Sequence, residues 1–327
     1  MSGVSKQTVS ADEDGMRLDR WFRSRYPDLT QGRLQKMLRK GDVRLDGGRV
    51  KADQRIAAGQ IVRVPPMPEP GSAAARPKPN RISDADRQLI EDLVIFRDPE
   101  VLVLNKVPGL AVQGGTKVVR HVDGLLPALT FGLDEPPRLV HRLDKDTSGV
   151  LVLGRTRQAA QWLTRAFRER NTEKTYWALV AGVPRPHQGT INLRLSKEEG
   201  LFGDRIEPVD EGGQRAVSHY SVISNAGQRA AWLAMRPVTG RTHQLRVHAA
   251  AIGCPIIGDM KYGDEKAHEG GFEKGLFLHA RRIVLRRPDG RSLDVTADPP
   301  RSFLEGMEQL GFDPNDPDAE VDWSEAG

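Results

Sequence analysis

Two stretches of the 327-residue chain concentrate side chains that could do chemistry. The first, His141-Arg142-Leu143-Asp144-Lys145-Asp146-Thr147-Ser148-Gly149, runs directly into the apolar segment Val150–Leu153. Polar residues this dense at the mouth of a buried strand are what a loop-borne active site needs, and a capped surface turn has the same composition. The second, Thr239-Gly240-Arg241-Thr242-His243-Gln244-Leu245-Arg246-Val247-His248, opens a helix with bases on two faces. A helix N-terminus with arginine beside it suits an anion; an ordinary amphipathic helix reads the same way. Other chemistries are absent. There is no G-x-G-x-x-G and no G-x-x-x-x-G-K-[ST], so nothing argues for a dinucleotide or P-loop site. Thr147-Ser148-Gly149 lacks the flanking glycines of a nucleophile elbow. His243 and His248 lie five apart with no Glu after His243, so no zinc-protease pair is present.

These stretches need elements to hold them. Leu93–Arg97 and Val101–Asn105, joined at Asp98-Pro99-Glu100, read as an apolar hairpin followed by the loop Lys106-Val107-Pro108-Gly109. Val150–Leu153, Lys174–Val180, Ala230–Met235, Leu276–Leu285 and Leu293–Val295 read as further strands. Arg157–Arg170 is an amphipathic helix, with Ala159, Trp162, Leu163, Ala166 and Phe167 on one face. Thr242–Ile252 is a helix stopped by Gly253. Many strands with few helices point to an α+β fold on a mixed, mainly antiparallel sheet.

A smaller unit precedes this one. Leu18, Trp21 and Phe22 share a helix face, and Thr30 is the expected N-cap of Gln31–Arg39, where Leu34, Met37 and Leu38 recur at helical spacing. Arg33, Lys36, Arg39 and Lys40 take the opposite face; short strands follow near Val43–Leu45 and Ile61–Val64. Residues 65–83 hold six prolines and no periodicity, the composition of an extended linker. The expected organisation is therefore a small α+β unit over 15–64, a linker over 65–83, a large unit over 84–311 and an acidic, disordered tail over 312–327.

Charge is segregated. The net charge is only +5, but residues 312–327 carry six acids and no base, which leaves +11 on the rest. Residues 1–63 hold 14 bases against eight acids. A basic body favours a polyanionic partner, and the basic helix could contact a phosphate backbone. Cys254 is the only cysteine, which excludes intrachain disulfides and multi-cysteine metal sites. No stretch approaches the ~18 apolar residues of a membrane span, and the first fifteen residues lack a signal peptide's apolar core. The expectation is a soluble cytoplasmic protein with no membrane partner.

Against this background, "LVHRLDKDTSGVLVLGRT" resembles the catalytic signature of the RluA-type pseudouridine synthases. Their other motifs follow in order: "LVLNKVPGLAVQGG", "EKTYWALVAG", "GRTHQLRVHAAAIGCPIIGDMKYG" and the late strand "LFLHARRI", covering about residues 93–305. Val107 departs from the proline usual after Asn-Lys. The segments "RLDRWF" and "TQGRLQKMLRKGDVRLDGGRVKADQRIAAGQIVRV" resemble the RNA-binding domain named after ribosomal small-subunit protein S-four, a common companion.

The resemblance implies an isomerase that turns uridine of RNA into pseudouridine. The reaction neither gains atoms nor changes oxidation state, so no cofactor and no metal is expected. It implies Asp144 as the catalytic carboxylate, acting on the ribose as nucleophile or base. Arg246 is the implied counter-charge that keeps a pocketed aspartate ionised, and Tyr176 the ring that stacks on the flipped uracil. Arg142 would fill the gap left by the target nucleotide, while Arg241 and His243 contact RNA with Arg33, Lys36, Arg39 and Lys40. Asp146 reads as a loop stabiliser. The expected partner is 23S-type large-subunit ribosomal RNA, bound by a monomer. Transfer RNA, or a non-catalytic role in ribosome assembly, stays open at this point; a nucleoside hydrolase is disfavoured by the lack of an aspartate cluster for metal.

Overall fold

The computed structural model describes residues 4–26, 29, 31–67, 82–115, 118, 120–169, 172–198, 205–268, 272, 275–321 and 323. Thr30, most of the proline-rich segment and the end of the tail lie outside them. The chain divides into two compact units, Met1–Arg81 and Ile82–Gly327.

In the first unit β1 (Ser5–Thr8) is followed by α1 (Leu18–Arg25), α2 (Gln31–Lys40), β2 (Arg44–Leu45), β3 (Gly48–Arg49) and β4 (Ile61–Val64). The four strands form one sheet in the order β1-β4-β2-β3. Leu18, Trp21 and Phe22 of α1 pack with Leu34, Met37 and Leu38 of α2 over Val62 and Val64. The expected start at residue 15 is corrected. Ser5 pairs with Val64 and Thr8 with Ile61, so the unit begins with β1. Ser-Lys-Gln-Thr shows no apolar alternation; main-chain hydrogen bonds at a sheet edge, not burial, make it a strand.

The second unit opens with α3 (Asp84–Asp92), which the sequence reading missed. Ser83 caps it, its Oγ accepting the Asp86 N–H at 3.1 Å. Then come β5 (Val94–Arg97), β6 (Val101–Lys106), α4 (Val122–Leu125), β7 (Arg138–Leu139), β8 (Ser148–Gly154), α5 (Arg157–Glu169) and β9 (Thr172–Ala181). β10 (Gln188–Glu198), β11 (Arg205–Val209), β12 (Gln214–Ala226), β13 (Ala230–Pro237), α6 (Gln244–Ala251), β14 (Leu278–Arg286), β15 (Ser292–Thr296) and α7 (Arg301–Leu310) complete it. One eleven-stranded sheet runs β11-β10-β12-β13-β9-β14-β8-β6-β5, with β15 beside β14 and β7 beside β8.

Near its middle the sheet is covered on both faces, and the covered stretches, Val101–Leu104 of β6 and Val150–Leu153 of β8, are accordingly unbroken apolar runs. Every residue of β8 is buried. Val101, Val103, Val150 and Val152 face Leu163 of α5, whereas Leu102, Leu104, Leu151 and Leu153 face Ile90 of α3 and Val122 and Leu125 of α4. Full burial of each such side chain stabilises by roughly 1.5–3 kcal/mol. The pairings are antiparallel except that of β8 with β14, where Ser148 meets His279 and Gly149 meets Ala280. Gly149 has φ +105°, and a Cβ there would stand 2.2 Å from the Ala280 carbonyl oxygen. Only glycine lets the Asp144 loop enter the sheet at this point.

The disordered tail expected from residue 312 is corrected for its described part. Gly311 ends α7 with φ +74°, and Phe312 is buried against Trp232, ring centroids 6.3 Å apart. Ala319, Val321 and Trp323 pack on the same core. Apolar residues interspersed among the acids dock the segment.

Candidate active site

The Asp144 loop and the β13–α6 turn face each other across a cavity of about 470 Å³. Tyr176 of β9 lines it as well, between Met235 of β13 and Ala280 of β14. Among the described residues of its lining, Asp144 is the single carboxylate, against Arg142, Arg168, Lys174, Arg241 and Arg246.

The Asp144 loop is held from two sides. At its start His141 accepts the Val152 N–H through Nε2 at 2.8 Å and stacks on Phe167 of α5, centroids 4.2 Å apart. Burial takes the His141 imidazole down to about 3, so it is a neutral strut. In its middle, the Lys145 carbonyl accepts from Lys106 Nζ at 2.9 Å. The same ammonium donates to the carbonyls of Val107 (2.9 Å) and Leu110 (3.0 Å), and Lys106 is fully buried. Burial lowers Lys106 to about 8 against the opposing pull of Asp146 and Asp144. Past Asp144, Ser148 Oγ lies 2.9 Å from His279 Nδ1, and His279 Nε2 lies 3.0 Å from the Ala297 carbonyl. A carbonyl only accepts, so the His279 proton is on Nε2 and Ser148 donates to Nδ1.

The opposite wall is fixed by Gln244. Its amide donates to the Val217 carbonyl and Ser218 Oγ, both at 2.9 Å, and accepts from Thr239 Oγ1 (2.6 Å) and the Arg241 N–H (3.0 Å). All four hydrogen bonds of a glutamine side chain are thereby made inside the protein. The turn this creates puts His243 in the left-handed region, φ +53°, a conformation costly for a residue with a Cβ. The helix expected to open at Thr242 therefore starts at Gln244. Its bases do not lie on two solvent faces: Arg246 and His248 are both buried.

Arg246 faces two carboxylates. Its Nε and Nη2 form a bidentate pair with Asp259 at 2.8 and 2.7 Å, while Nη1 stands 3.8 Å from Asp144 Oδ2. The expected counter-ion of Asp144 is thus primarily Asp259's partner, with its third nitrogen toward Asp144. Burial works to raise the Asp259 carboxyl, but Arg246 and the N–H groups of Lys261 and Tyr262 hold it below the usual range. The Arg246 guanidinium also lies 5.1 Å from the Tyr262 ring centroid.

His243 Nε2 is 4.0 Å from Asp144 Oδ1, and its Nδ1 is 2.8 Å from the Tyr262 hydroxyl. That hydroxyl already accepts the Ile206 N–H at 3.1 Å. We assign its proton to Nδ1, which leaves the neutral imidazole's own proton on Nε2, toward Asp144. Burial lowers His243's proton affinity against the pull of Asp144. Burial, together with Asp144's charge, pushes the Tyr176 phenol up.

The structure thus brings Asp144, Tyr176, Arg246, His243, Arg241 and Arg142 to one cavity, the last two exposed at its edge. Arg33, Lys36, Arg39 and Lys40 belong to the other unit, exposed on α2. Asp146 is exposed and does not line the cavity. Sequence reasoning missed Lys106, Gln244, Asp259 and Tyr262. One signal existed: Arg246 sits between Leu245 and Val247, and a cation in an apolar run needs a buried carboxylate.

The family model described as RNA pseudouridylate synthase matches residues 100–251. The ribosomal large subunit pseudouridine synthase C of Pasteurella multocida (strain Pm70) is 37% identical over 304 residues, spanning 90% of this chain and 90% of its own. Its counterpart in Rickettsia bellii (strain RML369-C) is 34% identical over 293 residues, spanning 88% of this chain and 95% of its own. Among solved structures, human RNA pseudouridylate synthase domain containing 4 superposes with a TM-score of 0.58 at 30% identity, over 69% of this chain and 95% of that one. Identity at this level along nine-tenths of both chains covers both walls of the cavity and the core behind them, and the chain belongs to the RNA pseudouridine synthase family, isomerases that convert uridine to pseudouridine in RNA.

Proposed function

We propose that this enzyme isomerises specific uridines of large-subunit ribosomal RNA, with Asp144 as its catalytic carboxylate. The observation that carries the reading is the cavity lining, one carboxylate among five cations. Glycoside hydrolysis needs two carboxylates, one for the leaving group and one for water or the sugar. Pseudouridine formation breaks the bond from uracil N1 to ribose C1′, turns the base and joins C1′ to C5. The C5 proton leaves and N1 gains one, so atoms balance without water, oxidant or cofactor. A single carboxylate engaging the ribose is sufficient.

The remaining roles follow from position. Asp259 orients Arg246, and Arg246 and His243 present N–H groups toward Asp144. Tyr176 is protonated in the resting site and offers its ring to the uracil. While Asp144 carries its charge it joins burial in holding the proton on the phenol, so in the resting site Tyr176 serves the uracil with its ring and not as a base. The uridine enters flipped, a step costing a few kcal/mol and least in loops, so structured loops are the substrates. Arg142 fills the vacated stack, and Arg241 contacts the RNA.

The relatives named as large-subunit enzymes match this chain over both units, which supports ribosomal RNA as the substrate. In this reading the first unit, β1 included, binds RNA through Arg33, Lys36, Arg39 and Lys40, the second unit catalyses, and the enzyme works as a cytoplasmic monomer. Asp144→Asn, nearly isosteric, should abolish pseudouridine formation while leaving RNA affinity within about twofold. Appreciable turnover by that variant would refute the assignment. Pseudouridine mapping in a deletion strain should show sites lost from large-subunit ribosomal RNA; losses confined to transfer RNA would overturn the substrate.

A further inference from the structure

Helix α5 has a face that the proposed mechanism does not use. Ala159, Leu163 and Ala166 are buried against the sheet. The outward face carries Arg157, Gln161, Arg165 and Arg168 at spacings of four, four and three, one continuous helical stripe, all exposed. Arg138 of β7 stands at its start, and these side chains line a shallow groove of about 620 Å³. Among its described lining residues are four arginines and no carboxylate. Arg168 also lines the catalytic cavity, so the groove and the cavity adjoin at that side chain.

We propose that this groove binds the phosphate backbone of the RNA strand flanking the target uridine. The inference rests on the RNA-modifying reading and extends it to a surface outside the reaction site. Charge selects a polyanion. The lining offers guanidinium forks suited to phosphate and no large apolar anchor of the kind protein interfaces use. Arg157 to Arg168 spans eleven residues, ~16 Å of helix at ~1.5 Å each. That is about the axial length of five nucleotides of one strand at ~3.4 Å each.

Two carboxylates compete: Glu169, 4.0 Å from Arg168 with both side chains exposed, and Glu135. Glu135 pairs with both Arg138 and Arg157, the latter at 3.0 Å. All three side chains are at least 41% exposed, and pairs so exposed contribute little, so a phosphate can take Glu135's place. Arg165 lies between these residues and the cavity and keeps the stripe positive along its length.

The test is a salt titration of binding, with single-turnover rates at saturating RNA, on an unmodified transcript of full-length large-subunit ribosomal RNA. The variants are Arg157→Glu/Arg165→Glu and, separately, Glu135→Gln. A control, Arg185→Glu/Arg229→Glu, carries the same charge change. Arg229 precedes β13, whose far end, Pro237, lines the cavity eight residues or ~26 Å away. Each phosphate contact adds roughly 0.7–0.9 to the slope of log affinity against log salt. The α5 double variant should lose about 1.5 of that slope and at least tenfold in affinity at ~150 mM salt, with the saturating rate unchanged. Glu135→Gln should bind more tightly, and the control should change little.

An unchanged slope in the α5 variant, an equal loss in the control, or a lowered saturating rate would each overturn the groove. Weaker or unchanged binding by Glu135→Gln would count against it independently of how the double variant folds. If the wild-type protein formed no pseudouridine in this transcript, the substrate reading would fail, while the binding slopes would still decide the groove.

Discussion

Arg246 in the catalytic cavity and the cations of α2 differ in what surrounds them. Arg246 is 8% exposed, locked by two hydrogen bonds to a carboxylate that is itself 1% exposed. Arg33, Lys36, Arg39 and Lys40 stand on an exposed helix face. A buried cation positions: its direction is fixed, its partner cannot be replaced by water, and removing either member leaves an uncompensated charge. An exposed cation attracts: it is screened by salt, exchangeable and additive with its neighbours. The same residue type thus fixes geometry where it is buried and is suited to attract a polyanion where it is exposed.

Breaking the buried pair should have the largest effect. Asp259→Ala should destabilise the protein by about 3–5 kcal/mol and remove activity. Asp259→Asn, which retains the volume, should fold well enough for kinetics and show kcat lowered at least tenfold with KM little changed. Loss of KM alone would mean that Asp259 serves RNA binding, not the orientation of Arg246.

Acid comes next. His248 and His279 are fully buried, and burial is the first cause that takes each to about 4. A histidine whose folded value lies below its unfolded ~6.5 contributes stability present above pH 6.5 and lost as pH falls toward 4, because the unfolded chain binds the extra proton. Each should withdraw roughly 3 kcal/mol across that window. Denaturation midpoints of the full chain at pH 7, 5.5 and 4.5 check this, and a flat profile would contradict it.

The smallest effect belongs to α2. Neutralising Lys36, Arg39 and Lys40 together should flatten the salt dependence of RNA binding by about two units. Stability and the rate at saturating RNA should hardly move. A fall in the saturating rate would erase the distinction between positioning and attracting cations.

Much of the large unit was legible because its strands carry their own signal. β6, β8 and β13 each contain an unbroken apolar run, Val101–Leu104, Val150–Leu153 and Ala230–Met235, and Asp144, Tyr176 and Arg246 stood in recognisable motifs. What escaped was set by partners distant in the chain. β1 is a strand only because β4 lies beside it. The α6 boundary depends on Gln244 reaching Val217 and Ser218, 27 and 26 residues away. Lys106 read as a loop residue because its acceptors are main-chain carbonyls, which sequence does not display. The docked tail was hidden by its acids, which outnumber the aromatic residues that anchor it.

Lys106 has a mechanical meaning. One nitrogen fastens the carbonyls of Val107, Leu110 and Lys145, so the loop after β6 and the loop bearing Asp144 share a single pin. Two segments tied at one buried point cannot swing apart separately, and the wall carrying Asp144 is stiff. The less this wall yields, the more of any bending the fit requires falls to the RNA and to the wall opposite. Amide hydrogens of residues 143–149 should accordingly exchange as slowly in the free enzyme as in the RNA complex. An enzyme built this way would choose among uridines by how readily their surroundings deform, and a soft loop in a folded RNA would count for as much as the letters in it.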